Sequence, residues 1–159
     1  FYLAKLLACK DLISPCRRLL VIASEDIGLA YPQAGAIVKS LVDSALQLGL
    51  PEARIPLAEA ALFLATAPKS NSAISAIDLA LEDINNGLGK EVPSHLKDGH
   101  YSGASKLNHS NNYLYPHSYP NHYVKQEYLP SDISCRVYYM YGKNKVEEAA
   151  KKYWDLIKH

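Results

Sequence analysis

Hydrophobic residues recur at helical spacing through the first half of the chain. From Cys16 to Ile27 they occupy positions i, i+3, i+4, i+7 and i+11, which predicts a helix with one hydrophobic face. Ser14 and Pro15 are expected to begin this helix, as its N-cap and its first helical residue. Gly28 is expected to end it, because glycine is the commonest residue just past a helix C-terminus.

Four more helices are predicted in residues 1–87 from the same spacing and from the residues that start and stop helices. They are expected to run from Phe1 to about Cys9, from about Pro32 to Gly49, from about Pro56 to Ala67, and from about Ser70 to Asn86. A last helix is predicted over residues 143–158. Short connections between the helices of the first half predict an all-α fold, an antiparallel helical bundle or array.

In three of these helices, the hydrophobic positions predict which residues face the core. The segment LAEAALFLATA, which starts at Leu57, has only Glu59 and Thr66 as polar members and is expected to be buried on most sides. The next helix carries its hydrophobic face at Ala73, Ile74, Ile77, Leu81 and Ile84. The last helix carries one at Val146, Ala149, Ala150, Tyr153 and Ile157, and its Glu147 and Lys151 are expected to pair at i,i+4.

The chain changes character after Gly87. Nine of its twelve tyrosines lie between residues 101 and 141, and the stretch NNYLYPHSYPNHYVKQEYLP at 111–130 holds five tyrosines and three prolines. Proline removes backbone donors, so this stretch is neither a helix interior nor a central strand. Because buried tyrosine rings contribute large hydrophobic areas, we expect residues 88–142 to form a long, ordered, irregular strap that closes this core or a neighbour's core. Only RVYYMY, at 136–141, has a strand-like composition, and it lacks an evident partner.

Composition and charge exclude several classes of protein. Of the 159 residues, 48% are hydrophobic and 21% are charged, as in an ordinary globular domain. The net charge of +1 gives no overall attraction to nucleic acid or to membranes, and there is no hydrophobic run of about 18 residues. We expect no signal peptide, because Lys5 interrupts the apolar stretch at the start. Cys9, Cys16 and Cys135 form no CxxC pair, which favours reduced thiols in a cytosolic protein over disulfides or a zinc site.

The sequence motifs of common catalytic sites are absent. There is no GxxxxGK[ST] phosphate-binding loop, GxGxxG, HExxH or GxSxG, so we expect no enzymatic activity from this segment. Five histidines lie within 28 residues, and their spacings fit no standard metal site. Surface or tyrosine-packed histidines are therefore the simpler interpretation, with a small metal enzyme as a remote alternative; the residues are His95, His100, His109, His117 and His122.

Two clusters of polar residues are candidates for specific contacts. Glu25 and Asp26 lie near a helix C-terminus, where their charges oppose the helix dipole. At least one of them is therefore expected to have a partner, such as Arg17, Arg18 or a neighbouring helix start. A second cluster of donors lies at the start of a helix, which suits a bound anion as well as a plain helix cap; it comprises Lys69, Ser70 and Asn71.

Basic residues scattered along the chain are candidates for a patch that meets DNA phosphates, or for a solvated surface. They are Arg17, Arg18, Lys97, Lys106 and Lys125.

Five stretches, in this order and at these spacings, resemble the C-terminal region of a known family. They are RRLLVIASEDIGLAYPQA, LGLPEARIPLAEA, APKSNSA, VPSHLKDGHYSGA and YLYPHSYPNHYVKQEYLP. The family is that of the bacterial replication-associated recombination ATPases, related to the Werner-helicase-interacting protein and to the yeast maintenance-of-genome-stability ATPase. The resemblance covers residues 1–130, and Glu25, Asp26 and Gly28 fall in its motifs as structural residues.

The resemblance implies a function that the residues alone do not show. Members are AAA+ ATPases related to clamp loaders, and they act in replication, recombination and repair at stalled forks in the bacterial cytoplasm. The ATPase core, which binds ATP and magnesium, is expected upstream of this fragment. Residues 1–159 then correspond to a non-catalytic, collar-like domain without a cofactor or metal of its own. Its expected partners are three further copies of itself, the ATPase domain, DNA and single-stranded-DNA-binding protein, with no membrane.

The strap departs from the family pattern at two places. The aspartate that usually follows its histidine is Ser118 here, and the usual Gly-Gly after the second Tyr-Pro is Asn121-His122. Glycine adopts positive φ at little cost, so the local turn depends on Asn121 as a partial substitute.

Two hypotheses follow for the strap. In a tetramer its aromatic residues suit a subunit interface, where such residues are enriched. Alternatively, its tyrosines stack on single-stranded bases beside Lys97, Lys106 and Lys125, and binding then weakens steeply with salt. The candidate interface residues are Tyr113, Tyr115, Pro116, His117, Tyr119, Pro120, Tyr123 and Tyr128.

Overall fold

The computed structural model describes residues 1–97 and 113–158, and all regular structure within these residues is helical. The six α-helices are α1 (Tyr2–Ala8), α2 (Ile13–Ile22), α3 (Ala34–Leu48), α4 (Arg54–Thr66), α5 (Ser72–Asn85) and α6 (Lys145–Lys158). The prediction of an all-α fold is therefore confirmed, and the strand-like stretch at 136–141 has no strand partner among the described residues. No helix in the described ranges is long and hydrophobic enough to cross a membrane.

The contacts divide the chain into two compact units, each built from two segments. The first unit comprises Phe1–Ser75 and Tyr139–Ala150, and the second comprises Ala76–Tyr138 and Lys151–His159. Helices α5 and α6 each begin in the first unit and end in the second. His100, Lys106 and His109, which were candidates from the sequence, lie outside the described residues.

The core of the first unit lies among α2, α3 and α4. Helix α3 packs along α4, α2 contacts both, and α1 lies against α4 and α2. Ile27, Val38 and Leu57 are fully buried at the centre, where the hydrophobic faces predicted for α2 and α3 meet. Burial of these side chains is the main source of stability in this unit.

The start of α2 differs from the prediction. The helix begins at Ile13, and the carboxylate of Asp11 accepts a 3.0 Å hydrogen bond from the backbone N–H of Ser14. Ser14 is thus capped by another side chain and is not the N-cap. Pro15 lies buried in the first turn, where its missing N–H has no helical partner to lose. Hydrogen bonds from Ser14 lower the pKa of the Asp11 carboxyl.

The chain stays helical after α2 but changes pitch. A π-helical turn, Ala23–Ile27, follows Ile22 and leads into a short 3₁₀ turn, Gly28–Ala30. Gly28 has a φ of +46°, and a Cβ there would lie 2.9 Å from the backbone oxygen of Ser70. The backbone N–H of Ser70 in turn donates a 2.8 Å hydrogen bond to the carbonyl of Asp26. Glycine is therefore required at this helix end for both its φ and its lack of a side chain.

Helix α4 is buried on one face only, so the prediction of burial on most sides is wrong for the single chain. Its inward residues are Pro56, Leu57, Ala60 and Leu64. On the opposite side Ile55 is 60% exposed and Leu62 is 67% exposed. Helix α4 is hydrophobic on nearly all sides, but the described part of the chain covers only one of them.

Buried acidic residues determine how α5 and α6 are oriented. Asp83 is the buried residue of the C-terminal half of α5, while the predicted hydrophobic residues Ile77, Leu81 and Ile84 are exposed. In α6, Glu147 is buried and makes no pair with Lys151, which bonds Asp155 instead. The expected face of α6 is only partly turned inward, because Val146, Ala149 and Tyr153 are exposed while Ala150 and Ile157 are half-buried.

The strap is irregular in its described parts, as predicted. It contains the 3₁₀ turns Ser94–Leu96, Pro116–Ser118, Pro120–His122 and Ser131–Ile133. Side chains hold it together, since Gln126 bonds the backbone of Leu114 through both its amide atoms. The carboxylate of Asp132 accepts a 2.8 Å bond from the N–H of Gly89.

Candidate functional site

Four tyrosines of the strap are exposed in the described part of the chain. Tyr113, Tyr115, Tyr119 and Tyr128 are all exposed, and they do not close the core of their own chain. Tyr123 is half-buried, with its ring edge-to-face against Trp154 at a centroid distance of 6.1 Å. Four large aromatic side chains thus remain available for another molecule, as both hypotheses for the strap require.

The turns that carry Pro116, His117 and Pro120 hold the strap in a compact local form. The ring of His117 lies 5.2 Å from that of Tyr115 and 5.0 Å from that of His122. Asn121 and His122 have φ values of +55° and +53°, in the left-handed region. The turn therefore keeps positive φ although neither residue is glycine.

The three candidate histidines within the described residues contact other protein groups. His95 donates a 2.8 Å hydrogen bond from Nε2 to the backbone carbonyl of Glu127, and the rings of His117 and His122 contact each other at a tilt of 52°. Within residues 1–97 and 113–158, no group of three or more metal-ligating side chains is placed to hold an ion.

A hydrophobic groove of about 550 Å³ lies between α1 and α4 in the first unit. Leu3, Ala4 and Leu7 line it from α1, and Ile55 and Ala58 line it from α4, with Arg54 at its edge. The exposed side of α4 continues beyond it to Leu62. This surface is almost entirely apolar. The groove beside α1 was not predicted from the sequence, because the periodicity of α4 does not distinguish its two hydrophobic sides.

The basic candidates within the described residues are exposed but lie in different parts of the chain. Arg17 and Arg18 are exposed on α2. Lys97 lines a cleft of about 700 Å³ in the second unit, together with Glu91 and Glu127. Lys125 is exposed on the strap.

Glu25 and Asp26 lie in the π-helical turn. Asp26 is exposed and Glu25 is half-buried, and neither carboxylate joins an ion pair within the described part of the chain. The expected side-chain partner is therefore not present there. The specific contact at this point is the backbone bond from Ser70 to Asp26.

The cluster Lys69-Ser70-Asn71 is used by the fold itself. Lys69 Nζ donates to the carbonyls of Leu64 and Ala67 and so caps the C-terminus of α4. The hydroxyl of Ser70 accepts a bond from the N–H of Ser72 at 3.3 Å. Asn71 is exposed, and its carbonyl accepts the first helical hydrogen bond of α5, from Ser75.

A buried carboxylate, that of Glu147, lies at this same helix start. Its Oε1 accepts hydrogen bonds from the Ser72 hydroxyl at 2.6 Å, the Tyr139 hydroxyl at 2.9 Å and the Gly142 N–H at 3.0 Å. Asn144 donates to its Oε2 and accepts a 3.0 Å bond from the N–H of Glu147. Asn144 and Glu147 thus form the N-terminal capping arrangement of α6. The sequence analysis missed it, although the N-x-x-E spacing is a signal that could have identified it.

The hydrogen bonds decide the charge state of this carboxylate. Burial acts to raise the pKa of Glu147, but donors from Ser70, Ser72, Gly142 and Asn144 outweigh it and lower the pKa to about 2. Burial and the contact with this anion raise the pKa of Tyr139 to about 12. The cluster therefore contains a carboxylate anion and a neutral tyrosine across the physiological range, and it serves structure.

A second buried acid organises the other unit. Asp83 accepts a 2.7 Å bond from the guanidinium of Arg136 and a 2.9 Å bond from the hydroxyl of Tyr138. Burial, followed by the hydrogen bond and charge of Asp83, raises the pKa of Tyr138. This contact explains why α5 turns Asp83 inward and its hydrophobic residues outward.

Comparison with known proteins gives consistent matches. The family model described as MgsA AAA+ ATPase C terminal matches residues 1–158. The chain is 52% identical over 157 residues to replication-associated recombination protein A of Bacillus subtilis (strain 168), covering 98% of this chain and 37% of that protein. It is 34% identical to the protein of the same name from Escherichia coli K12, with 81% and 29% covered. It is 30% identical to ATPase WRNIP1 of Dictyostelium discoideum, with 79% and 14% covered. The chain thus spans under two fifths of the length of these relatives.

Proposed function

The chain belongs to the family of MgsA AAA+ ATPase C-terminal domains, and from that premise we propose that it assembles its ATPase into a homotetramer. In this proposal the segment catalyses no reaction. ATP and magnesium bind to the ATPase part of the protein, and the assembly acts in DNA replication and recombination in the cytoplasm. The names of its relatives, replication-associated recombination protein A, support that setting.

The observation that carries the proposal is the second hydrophobic face of α4. Ile55 and Leu62 are 60% and 67% exposed, and they adjoin the apolar groove between α1 and α4. Monomeric proteins rarely leave contiguous apolar surfaces of this kind uncovered. Homo-oligomer interfaces are richer in such surface than transient ones. In an assembly domain, the molecule that covers such a surface is a further copy of the same chain, and we propose that a second copy covers the exposed face of α4.

The strap supports the same proposal. Its exposed tyrosines (Tyr113, Tyr115, Tyr119 and Tyr128) are of the residue type most enriched in the energetic centres of interfaces. Prolines at 116 and 120 restrict the strap, so less conformational entropy is lost when it binds. We propose that these rings contribute to contacts between subunits, with DNA and single-stranded-DNA-binding protein as partners of the assembled protein.

The test is a substitution on the exposed face of α4. Leu62→Lys and Ile55→Lys place a charge on the proposed interface, and they are tolerated in the single chain because both side chains are exposed. Sedimentation velocity is expected to show loss of the tetramer, with helical content unchanged by circular dichroism. Leu46→Lys, at an exposed leucine of α3, is the matched control. An unchanged mass for the α4 variants would contradict the proposal.

A second candidate function is binding of single-stranded DNA, and the exposed tyrosines of the strap, which also carries the exposed Lys125, favour it. Aromatic side chains stack on bases without regard to sequence, and each stacked base contributes about 1–3 kcal/mol. Fluorescence anisotropy with an oligonucleotide tests it across a salt series. Binding that weakens steeply with salt, and that is lost in Tyr119→Ala but not in Leu62→Lys, supports this function. The absence of salt-dependent binding would exclude it.

A further inference from the structure

Helix α5 presents an uncovered hydrophobic face in the second unit. Ile77, Leu81 and Ile84, spaced four and three residues apart, are 55%, 47% and 63% exposed. They share one side of the helix, because residues three and four apart are neighbours on a helix surface. Asp83 and its bonds to Arg136 occupy the inward side. The orientation of α5 is therefore fixed by a polar contact, and its hydrophobic face is left without a partner in the described part of the chain.

The same unit contains a second uncovered face, on the last two turns of α6. Tyr153 is 57% exposed and Leu156 is 84% exposed, again three residues apart. Trp154, one residue away from Tyr153, is half-buried against Tyr123. At this end of α6, Trp154 packs against the strap, while Tyr153 and Leu156 are exposed to solvent.

The exposed charges beside the two faces that join no ion pair in the described part of the chain are of opposite sign, and the acidic Asp155 next to Leu156 is paired with Lys151. On α5, Asp78 and Glu82 are exposed next to the hydrophobic residues. On α6, Lys152 is exposed four residues before Leu156, on the same side of the helix. None of these three joins an ion pair within residues 1–97 and 113–158. Complementary charge around hydrophobic patches favours the pairing of unlike faces and disfavours the pairing of like ones.

We propose that the α5 face of one copy packs against the α6 face of a second copy. Ile77, Leu81 and Ile84 would contact Tyr153 and Leu156 of the partner, with Asp78 and Glu82 near its Lys152. The proposal rests on the proposed function, since it assigns one of the subunit contacts of the assembly. Two different surfaces meet, so the contact is heterologous, and repetition of such a contact generates a closed ring when the rotation between copies closes.

Two other occupants of the α5 face fit the charges less well. Pairing of α5 with α5 of a second copy brings acidic residues together, which is repulsive. Nucleic acid is repelled by the same acidic residues, because its phosphates are negative. Both remain distinguishable outcomes of the experiment below.

The experiment is charge reversal with rescue, followed by sedimentation equilibrium at low salt. Lys152→Glu places a negative charge opposite Asp78 and Glu82, and weakening of association by about two- to five-fold per contact is expected, as for exposed ion pairs. Asp78→Lys alone is expected to weaken it similarly. The double variant, Asp78→Lys with Lys152→Glu, restores the attraction and is expected to assemble like the unmodified chain. Lys143→Glu, an exposed lysine outside α5 and α6, controls for net charge.

A substitution at the hydrophobic centre gives a larger signal. Leu156→Ser is expected to weaken association by about tenfold or more without loss of helical content, because this side chain is 84% exposed in the single chain.

The outcomes separate this inference from the proposed function. If the unmodified chain and Lys152→Glu assemble equally, and Leu62→Lys does not assemble, the tetramer proposal stands and the α5–α6 contact is overturned. If the double variant associates no more tightly than the single variant with the lower association constant, the contact is also overturned. If Asp78→Lys strengthens association, α5 pairs with α5 instead. If Lys152→Glu lowers only binding of single-stranded DNA, the α6 face serves nucleic acid. A monomer at every concentration overturns both proposals.

Discussion

Ser72 donates a 2.6 Å hydrogen bond from its hydroxyl to the buried carboxylate of Glu147, 75 residues later in the chain. The bond joins the first residue of α5 to the first turn of α6, within one compact unit. Tyr139 and Gly142 complete the set of donors on the same oxygen. A single carboxylate thus holds the segment 139–150 against the first 75 residues, and most predictions about stability concern this cluster or its neighbours.

Replacement of this carboxylate is predicted to be strongly destabilising at neutral pH. Glu147→Gln can turn an amide N–H towards the N–H of Gly142 or the side-chain N–H of Asn144, neither of which accepts a hydrogen bond, and it removes the charge that these donors stabilise. The pKa of Glu147 falls from 4.5 to about 2 on folding. At pH values above 4.5, the ionised carboxylate therefore contributes about 3 kcal/mol to the free energy of unfolding. Urea denaturation at pH 7 measures the difference. Glu148→Gln, at the exposed neighbouring residue, is expected to change stability by less than about 0.5 kcal/mol.

The same carboxylate predicts how stability depends on pH. Its folded pKa is lowered, so its contribution is complete above about pH 4.5 and is lost as the pH falls towards 2. The difference in unfolding free energy between the unmodified chain and Glu147→Gln should therefore shrink between about pH 5 and pH 3. A difference that stays constant over this interval would show that the carboxylate titrates normally.

Tyr139 is predicted to support the ionised state of Glu147. Its hydroxyl donates to Oε1 at 2.9 Å, and Tyr139→Phe removes that donor with little change in shape. We expect a loss of about 1 kcal/mol of stability and a rise in the pKa of Glu147. Carboxyl chemical shifts in a pH titration monitor the second effect. Tyr141→Phe is the control, since it also removes one tyrosine hydroxyl but keeps the ring, which lies 4.7 Å from that of Tyr139. Equal shifts in both variants would contradict this role.

Two glycines are predicted to respond to alanine in opposite directions. Gly28→Ala forces a Cβ to 2.9 Å from the Ser70 carbonyl oxygen at a φ of +46°, and a loss of about 2 kcal/mol is expected. Gly35 lies within α3, and a Cβ added there would meet no other atom within 4 Å, so Gly35→Ala should stabilise by about 0.5 kcal/mol. Thermal unfolding of the two variants provides a matched comparison. Destabilisation by both would mean that crowding at Gly28 is not the cause.

The turn Pro120–His122 of the strap is predicted to become more stable when glycine replaces a residue with positive φ. His122 has a φ of +53°, which costs an L-residue about 1 kcal/mol, so His122→Gly should slow exchange of the Tyr123 amide hydrogen. That amide donates to the carbonyl of Pro120 at 3.2 Å. Asn121→Gly is expected to have a smaller effect, because asparagine tolerates positive φ. His117→Gly, in the preceding turn, should speed local exchange, and slower exchange there would contradict the explanation.

The elements of the fold could be predicted from the sequence because each helix is marked locally. Gly49, at a φ of +67°, ends α3 where the pattern predicts it. The irregular strap followed from its prolines, and the family resemblance drawn from five motifs is confirmed by the match over residues 1–158. These features depend on neighbouring residues, which a sequence displays directly.

The orientation of α5 and α6 could not be predicted in the same way. Periodicity places Ile77 and Tyr153 on core-facing sides, yet both are exposed because Asp83 and Glu147 are buried instead. Each acid is held by donors from distant parts of the chain, such as Arg136 and Ser72. A hydrophobic pattern does not show which polar residues acquire such partners. The exposure of one hydrophobic side of α4 could not be predicted either, because the sequence of one chain does not show which of its hydrophobic surfaces a second molecule covers.

The most direct test of the assembly proposal is the solution mass of this chain, measured by light scattering over a concentration series. We predict a mass of four times the 17.6 kDa of one chain, persisting on dilution into the micromolar range. That result would place assembly in this segment and direct mutation to α4, the strap and the α5 and α6 faces. A mass of 17.6 kDa at every concentration would contradict the account.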